Sequence, residues 1–158
     1  MNAYLPAFQH QRNFLLFAGH SLPAKEFNMP GITLKISGDP NLELAHSIVP
    51  KLTALTCEVL EKRPEQTLVM VQFLPHELWF IENLSLAEQG RNSFRLEVTI
   101  TDETNTKAQK ARYQHEAFEL LAKEIGNVHP HSNIHVIDCR ASAYGYGGLS
   151  QEYKLHHP

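Results

Sequence analysis

Cysteine is scarce in this chain: Cys57 and Cys139 are the two copies in 158 residues, and they lie far apart. There is no CxxC pair and no Cys/His ligand set, which argues against a structural zinc site and against a disulfide scaffold. Both are expected as reduced, mostly buried thiols of a cytoplasmic protein. No run approaches the roughly 18–20 consecutive apolar residues that a membrane span requires. The amino-terminal segment does hold Phe14-Leu15-Leu16-Phe17-Ala18. That run is too short for the core of a secretion signal, His20 follows it, and the single Arg12 is a poor basic flank. An excess of positive charge is missing too: 14 Lys and Arg stand against 17 Asp and Glu, a formal charge of −3. Such a balance argues against the basic surface by which proteins hold nucleic acid or anionic membranes.

Histidine is plentiful, with ten copies, but they are scattered. His129, His131 and His135 come nearest to a cluster. Pro130 separates the first two, the set spans a loop and a strand, and no acidic or thiol partner is adjacent, so no metal site is assigned. What remains is an ordinary globular composition, 42% apolar and 20% charged, with the length of one domain and enough of it for a real core.

Residues 1–28 carry no clean periodicity, and Pro6 and Pro23 interrupt what there is. They read as an appendage to a domain at residues 29–158. From Gly31 the pattern sharpens: Ile32, Leu34 and Ile36 alternate with Thr33, Lys35 and Ser37, a half-buried strand. Gly38-Asp39-Pro40 reads as a turn into a helix, with Asp39 as N-cap and Pro40 at the first helical position. Leu44, Ile48, Leu52, Leu55 and Val59 mark one apolar helix face. Pro50 falls inside that pattern and is expected to kink it. Lys62-Arg63-Pro64 ends the helix, the cations suiting its carboxyl-terminal dipole. Thr67 to Leu74, TLVMVQFL, is apolar nearly throughout, the pattern of a strand covered on both faces.

A second unit follows. Phe94, Leu96, Val98 and Ile100 alternate with Arg95, Glu97, Thr99 and Thr101, giving another strand. Thr106 and Gln109 have the spacing of a capping box. Ala111, Phe118, Leu121 and Ile125 line a helix face, Gly126 is a natural stop, and Asn133 to Cys139, NIHVIDC, closes the unit as a strand. Strand–helix–strand thus occurs twice, over about 45 residues each time. Each unit needs a right-handed crossover between parallel strands. Two of them side by side give an α+β fold, a four-stranded mixed sheet with both helices on one face. The other face needs cover that a chain of this length has little left to supply, so self-association is expected.

A doubled β-α-β whose first strand begins directly after Met29-Pro30 resembles the tautomerase superfamily. That group includes 4-oxalocrotonate tautomerase (4-OT), malonate semialdehyde decarboxylase, cis-3-chloroacrylic acid dehalogenase and macrophage migration inhibitory factor. The resemblance runs from Pro30 to about Tyr153. The stretches VQFLPHELWF, VTITDETNTKAQKARY and ASAYGYGGLSQEY look most like the decarboxylase-type and long 4-OT-like members. It implies a homotrimer, no cofactor, a small-molecule substrate, and a proline that becomes residue one once the initiator methionine is removed. Met29 then looks like the translational start, with residues 1–28 upstream of it.

The chemistry turns on one nitrogen. A proline inside a chain is an amide without basicity; at a terminus it is a secondary amine. A free amino terminus titrates at about 7.7–8.0, and burial or cations such as Lys62 and Arg63 disfavour its charged form. A neutral amine takes a proton from beside a carbonyl and returns it elsewhere, a keto–enol tautomerisation that needs no metal or organic cofactor. If the bond to Met29 stays intact, Pro30 is a proline at the start of a strand with no chemistry.

The remaining roles come from the resemblance. It sets Glu65 at the position of the decarboxylase's aspartate, which assists the proline, and Lys62 near a lysine lining the cytokine's pocket. Read alone, these are a loop carboxylate and a helix-end cation. His135 falls near where the cytokine presents a tyrosine; it either donates a hydrogen bond to a substrate oxygen or is a sheet-surface histidine. Tyr144 and Tyr146, with Gly145, Gly147 and Gly148, form a turn whose aromatics wall a neighbouring subunit's pocket or serve subunit packing. Trp79 and Phe80 read as core or interface residues. Decarboxylase and dehalogenase members place two arginines just after the third strand to grip a carboxylate. Here Thr101-Asp102-Glu103-Thr104 stands instead. That demotes those reactions and leaves tautomerisation of a small 2-oxo or 2-hydroxydienoate compound. The alternative is a non-enzymatic ligand-binding or interaction module on the same trimeric scaffold.

Overall fold

The computed structural model describes residues 29–157; the expected appendage at residues 1–28 lies outside the described residues. The first unit is β1 (Gly31–Ser37), α1 (Leu42–Val59) and β2 (Leu68–Leu74), followed by the hairpin β3 (Phe80–Ile81) and β4 (Leu84–Ser85) and the short helix α2 (Leu86–Gln89). The second repeats that order: β5 (Phe94–Thr101), α3 (Lys107–Ile125), β6 (Asn133–Cys139), β7 (Gly145–Tyr146), β8 (Leu149–Ser150) and α4 (Gln151–His156). β1 pairs parallel with β2 and antiparallel with β5, and β5 pairs parallel with β6, so the sheet order is β2-β1-β5-β6.

Strand alternation decides the layers. Ile32, Leu34 and Ile36 of β1 and Leu96, Val98 and Ile100 of β5 meet Ile48, Leu52 and Val59 of α1 and Tyr113, Ala117 and Leu121 of α3 in one core. Both long helices therefore cover the same face. Each fully buried aliphatic side chain there contributes roughly 1.5–3 kcal/mol.

Local signals held where the partner is local. The Gln109 N–H donates to Thr106 Oγ1 at 3.2 Å and the Thr106 N–H to Gln109 Oε1 at 2.9 Å, the reciprocal pair that the spacing predicts. At α1 the cap is Asn41, not Asp39: its Oδ1 accepts from the Leu44 N–H at 2.9 Å, while Asp39 and Pro40 lie in the preceding turn. The last turn of α1 holds no cation. The helix ends at Val59, and Lys62 and Arg63 lie beyond it. Helix α1 continues through Pro50, which is exposed like His46, so the carbonyl deprived of its donor faces solvent.

The buried face of α3 is Tyr113, Ala117 and Leu121, whereas Ala111 is exposed and Phe118 and Ile125 are half-buried. A long-range bond centres the face on Tyr113. The Thr56 hydroxyl donates to the Leu52 carbonyl at 2.7 Å, so the Tyr113 phenol donates to Thr56 Oγ1 at 2.9 Å. Burial pushes the Tyr113 phenol up from 10.0 to about 12, with the Thr56 bond acting the other way. An unfolded chain therefore loses this proton first. Stability from this group is fully present below pH 10 and declines as pH rises through the window to about 12. At about 1.4 kcal/mol per unit, the decline amounts to roughly 2–3 kcal/mol. Tyr113→Phe is expected to cost about 1 kcal/mol at neutral pH and to remove that alkaline loss. Urea titrations at the two ends of the window measure both.

On the other sheet face, Leu68 (49%), Met70 (49%) and Leu74 (36%) of β2 and Ile137 (41%) of β6 are exposed. The expectation that TLVMVQFL is covered on both faces is therefore corrected: β2 is an edge strand, and nothing in the described chain covers its outer row. Polar side chains run between these apolar ones, among them Lys35, Arg95, Glu97 and His135.

The two short hairpins are built alike. Glu82 and Asn83 (φ 57° and 64°) turn the first, and Gly147 and Gly148 (φ 62° and 78°) turn the second, the positive values that a two-residue turn of this hand requires. Ser85 and Ser150 then cap α2 and α4. The Leu86 N–H donates to the Trp79 carbonyl at 2.9 Å, as the Gln151 N–H does to that of Tyr144 at 2.8 Å. Trp79 and Tyr144 thus hold equivalent places at opposite ends of the sheet. Gly145 is fixed by a close approach: a Cβ there would lie 1.9 Å from the Leu149 carbonyl oxygen. Gly145→Ala is expected to open β7–β8 and release α4 while leaving the core intact. Hydrogen exchange should show lost protection after Ala143 and unchanged protection in β1 and β5.

Candidate active site

Pro30 is buried immediately before β1, the inner strand between β2 and β5, and its carbonyl accepts the Leu68 N–H at 3.1 Å. Because β1 is parallel to β2 and antiparallel to β5, three connections converge on this end of the sheet. They are the segment from α1 to β2, the turn from β5 to α3, and the segment from β6 to β7. Hydrogen bonds knit them together. Asn105 Nδ2 donates to the Leu60 carbonyl at 3.0 Å, Lys62 Nζ to Thr104 Oγ1 at 3.2 Å, and Thr104 Oγ1 to the Thr101 carbonyl at 2.7 Å. The Asp102 N–H donates to the Cys139 carbonyl at 3.0 Å.

Two of the expected residues contribute directly to this framework. Lys62, only 7% exposed, brings a cation into it on a polar anchor. Tyr144 reaches back so that its phenol pairs with Thr101 Oγ1 at the end of β5. Burial pushes the Tyr144 phenol up, against the Thr101 bond, so it stays protonated and able to donate. Glu65 lies exposed in the 3-10 turn Pro64–Gln66 at the same end. Burial raises the Cys57 thiol, the Thr67 hydrogen bond opposes this, and the Glu65 carboxylate adds to it.

Two expected residues lie elsewhere within one chain. His135 is exposed in the middle of β6, opposite Glu97 on the open face. Tyr146 sits in β7 with Lys154 Nζ 2.8 Å from its ring centroid and donating to its carbonyl at 2.7 Å. That ring face is occupied by a cation. Phe80 (61% exposed) and the half-buried Trp79 belong to the opposite end of the sheet and to no core. Among the described residues, no group of three or more His, Cys, Asp or Glu is placed to hold a metal ion. His129 Nδ1 instead accepts the His131 N–H at 3.1 Å.

Two polar groups escaped the reading of the sequence. The Oε1 atoms of Gln66 and Gln151 are buried without a hydrogen-bond partner among the described residues. Such a group costs roughly 1–3 kcal/mol until something donates to it. Gln66 ends the 3-10 turn beside β2, and Gln151, 1% exposed, follows the hairpin that begins at Tyr144. Aligning the two units would have exposed the second: Gln151 stands where the first unit has the fully buried Leu86. Arg63 and Arg140, both exposed, flank this end, while Asp102 and Glu103 point no cation at it.

No family model and no curated protein matches the chain. Solved structures do. The chain is similar to a wild-type fused 4-OT solved as an asymmetric trimer, at 16% identity and TM-score 0.68, covering 78% of this chain and 98% of that one. It is similar to a macrophage migration inhibitory factor-like protein from Entamoeba histolytica, at 14% identity and TM-score 0.61, covering 77% and 98%. A malonate semialdehyde decarboxylase inhibited by 3-bromopropiolate matches at 16% identity and TM-score 0.61, covering 80% and 96%. At these identities the likeness is one of fold. It is the tautomerase-superfamily fold that the doubled β-α-β led us to expect.

Proposed function

We propose that the chain is a cofactor-independent tautomerase in which Pro30, freed of Met29, is the general base for a 1,3-proton shift in a small 2-oxo or 2-hydroxydienoate substrate. The observation that carries this reading is the place of Pro30: buried at the head of an inner strand, at the end of the sheet where Lys62 and Thr104 pair, in a chain with the fold of fused 4-OT. On this reading the neutral nitrogen removes the proton beside the substrate carbonyl. Tyr144, kept protonated by burial, and Lys62 stabilise the oxygen on which negative charge develops. The protonated proline then returns its proton to the far carbon. Glu65, with its carboxylate at the same end, is assigned to holding the protonated amine. His135 and Tyr146 contribute to a site only if a neighbouring copy presents them.

Self-association supports that last point. The apolar outer row of β2 needs a partner, and the fused 4-OT above is a trimer; we assign the same homotrimer here, in the cytoplasm. Residues 1–28 are assigned to a segment upstream of the working domain. Asp102 and Glu103 stand after β5 where decarboxylase and dehalogenase members carry an arginine pair, so the guanidinium grip on which those reactions depend is missing at this place and tautomerisation is favoured over decarboxylation.

The test joins two measurements on one preparation: the intact mass of the chain, and ketonisation of 2-hydroxymuconate or of enolic phenylpyruvate followed by absorbance. Turnover confined to chains that begin at Pro30 is the expected result. Chains that retain Met29 and yet turn over equally fast would remove Pro30 from the mechanism, and no turnover by either form would leave the scaffold with a binding role only.

A further inference from the structure

At the end of the sheet away from Pro30 lies a cavity of about 490 Å³, between the β3–β4 hairpin and the open face of β1, β5 and β6. Its volume falls in the range of small-molecule sites. Its position is the repeat's counterpart of the Pro30 end: Trp79 stands where Tyr144 stands, and the fully buried Phe94 heads β5 as Pro30 precedes β1. No chain terminus is available here, so the cavity has no amino-terminal base of the kind proposed for Pro30.

Its two walls differ in chemistry. On the hairpin side, Trp79, Leu78 (63% exposed) and Phe80 (61% exposed) present apolar surface that the described chain leaves open. On the sheet side stand Lys35 and Arg95, which are register partners on adjacent antiparallel strands and point to the same face. Two like charges in directly opposed positions destabilise a sheet. Glu97 relieves only one of them, taking Arg95 Nε and Nη2 at 2.8 Å each. Lys35 has no hydrogen-bond or ion-pair partner among the described residues. Asn133, paired with Arg95 on the next strand, adds an amide to the same row. An anion seated across this row removes the repulsion, and an apolar body behind it covers the aromatic wall. Glu82, on the hairpin turn at the rim, opposes a second negative group.

We propose that this cavity is a binding site, separate from Pro30, for a small aryl or alkyl monocarboxylate, its carboxylate held by Lys35 and Arg95 and its apolar end lying against Trp79 and Phe80. The proposal does not rest on the reading of Pro30.

Trp79 is the single tryptophan of the chain, so its fluorescence reports this cavity alone. The experiment titrates the full-length protein with 3-phenylpropionate and, in parallel, with its neutral amide. A saturable change is expected with the acid, and binding of the amide should be weaker by about tenfold or more, the worth of charge-assisted contacts. Lys35→Gln and Arg95→Gln should each weaken the acid on the order of tenfold and leave the amide unchanged. Pro30→Ala should leave the whole titration as it is. No saturable response, equal affinity for acid and amide, or an undiminished response in both cation variants would each overturn the proposal. The acid–amide comparison uses wild-type protein and stands even if a variant fails to fold.

Discussion

A chain that begins at Pro30 is expected to ketonise its enol substrate about 10²–10⁴ times faster than the same chain carrying a peptide bond on that nitrogen, the range that a positioned general base supplies. An amide nitrogen has its lone pair delocalised into the carbonyl and takes no proton at any physiological pH, so the difference is one of kind. The comparison needs the full 158-residue chain, in which Pro30 is acylated, and a processed chain of verified mass. The pH profile supplies an independent sign. The base works when neutral, so kcat/KM falls as pH drops through its pKa and is level above it. Two influences compete on that value. Asp102, Glu103 and Glu65 favour the protonated amine, but all three are exposed and solvent screens them. Burial of Pro30 and the nearly buried Lys62 disfavour it. Desolvated groups act through a lower dielectric, so the second influence wins. The acidic limb should then have its midpoint below the usual 7.7–8.0 of an amino terminus, roughly speaking. A limb above that range, or equal rates for acylated and free proline, would sink the mechanism.

How far the sequence foretold the molecule depended on how far apart the interacting residues lie. The capping box at Thr106 and Gln109 and the alternation in β1 and β5 involve neighbours within a few residues, and they are legible as written. At Asp39 the signal was ambiguous for the same local reason: Asp39 and Asn41 are both able to cap, and the choice fell to the one whose oxygen reaches the Leu44 N–H. The orientation of α3 was misjudged because Tyr113 and Thr56 find each other across the core. No periodicity within one helix shows a hydroxyl on another. Hairpins of two residues on each side, such as β7–β8, are too short for a pattern; Gly147-Gly148 marked only the turn. At the candidate site, Pro30 was visible by its place before a strand, and Lys62 and Tyr144 through family resemblance. Gln66 and Gln151 were not, because a buried unpaired oxygen is a property of the packed chain alone.

Met70→Asp is expected to convert an assembled protein into folded monomers at micromolar concentration. Met70 lies on β2 in register with Thr33, on the row that continues through Glu97 to His135, and is 49% exposed in the single chain. If a second copy covers this row, burying the methionine contributes roughly 1.5–3 kcal/mol per copy. An aspartate in its place loses that and adds an unpaired charge beside Glu97, a cost of several kcal/mol per ion once water is excluded. In a closed trimer the change occurs three times, so the equilibrium moves by far more than a factor of 10³ on these magnitudes. Folding should survive, since the inward residues of β2, Val69 and Val71, keep their contacts with the core. Glu119→Lys, an exposed change on α3, reverses a charge on the helix layer and should leave assembly unaltered. Sedimentation velocity with far-ultraviolet circular dichroism separates the outcomes. A Met70→Asp protein that remains folded and fully assembled would show that the copies meet through the helices instead of the sheet. His135, which can join a site only by being offered from a neighbour, would then have no route to any substrate.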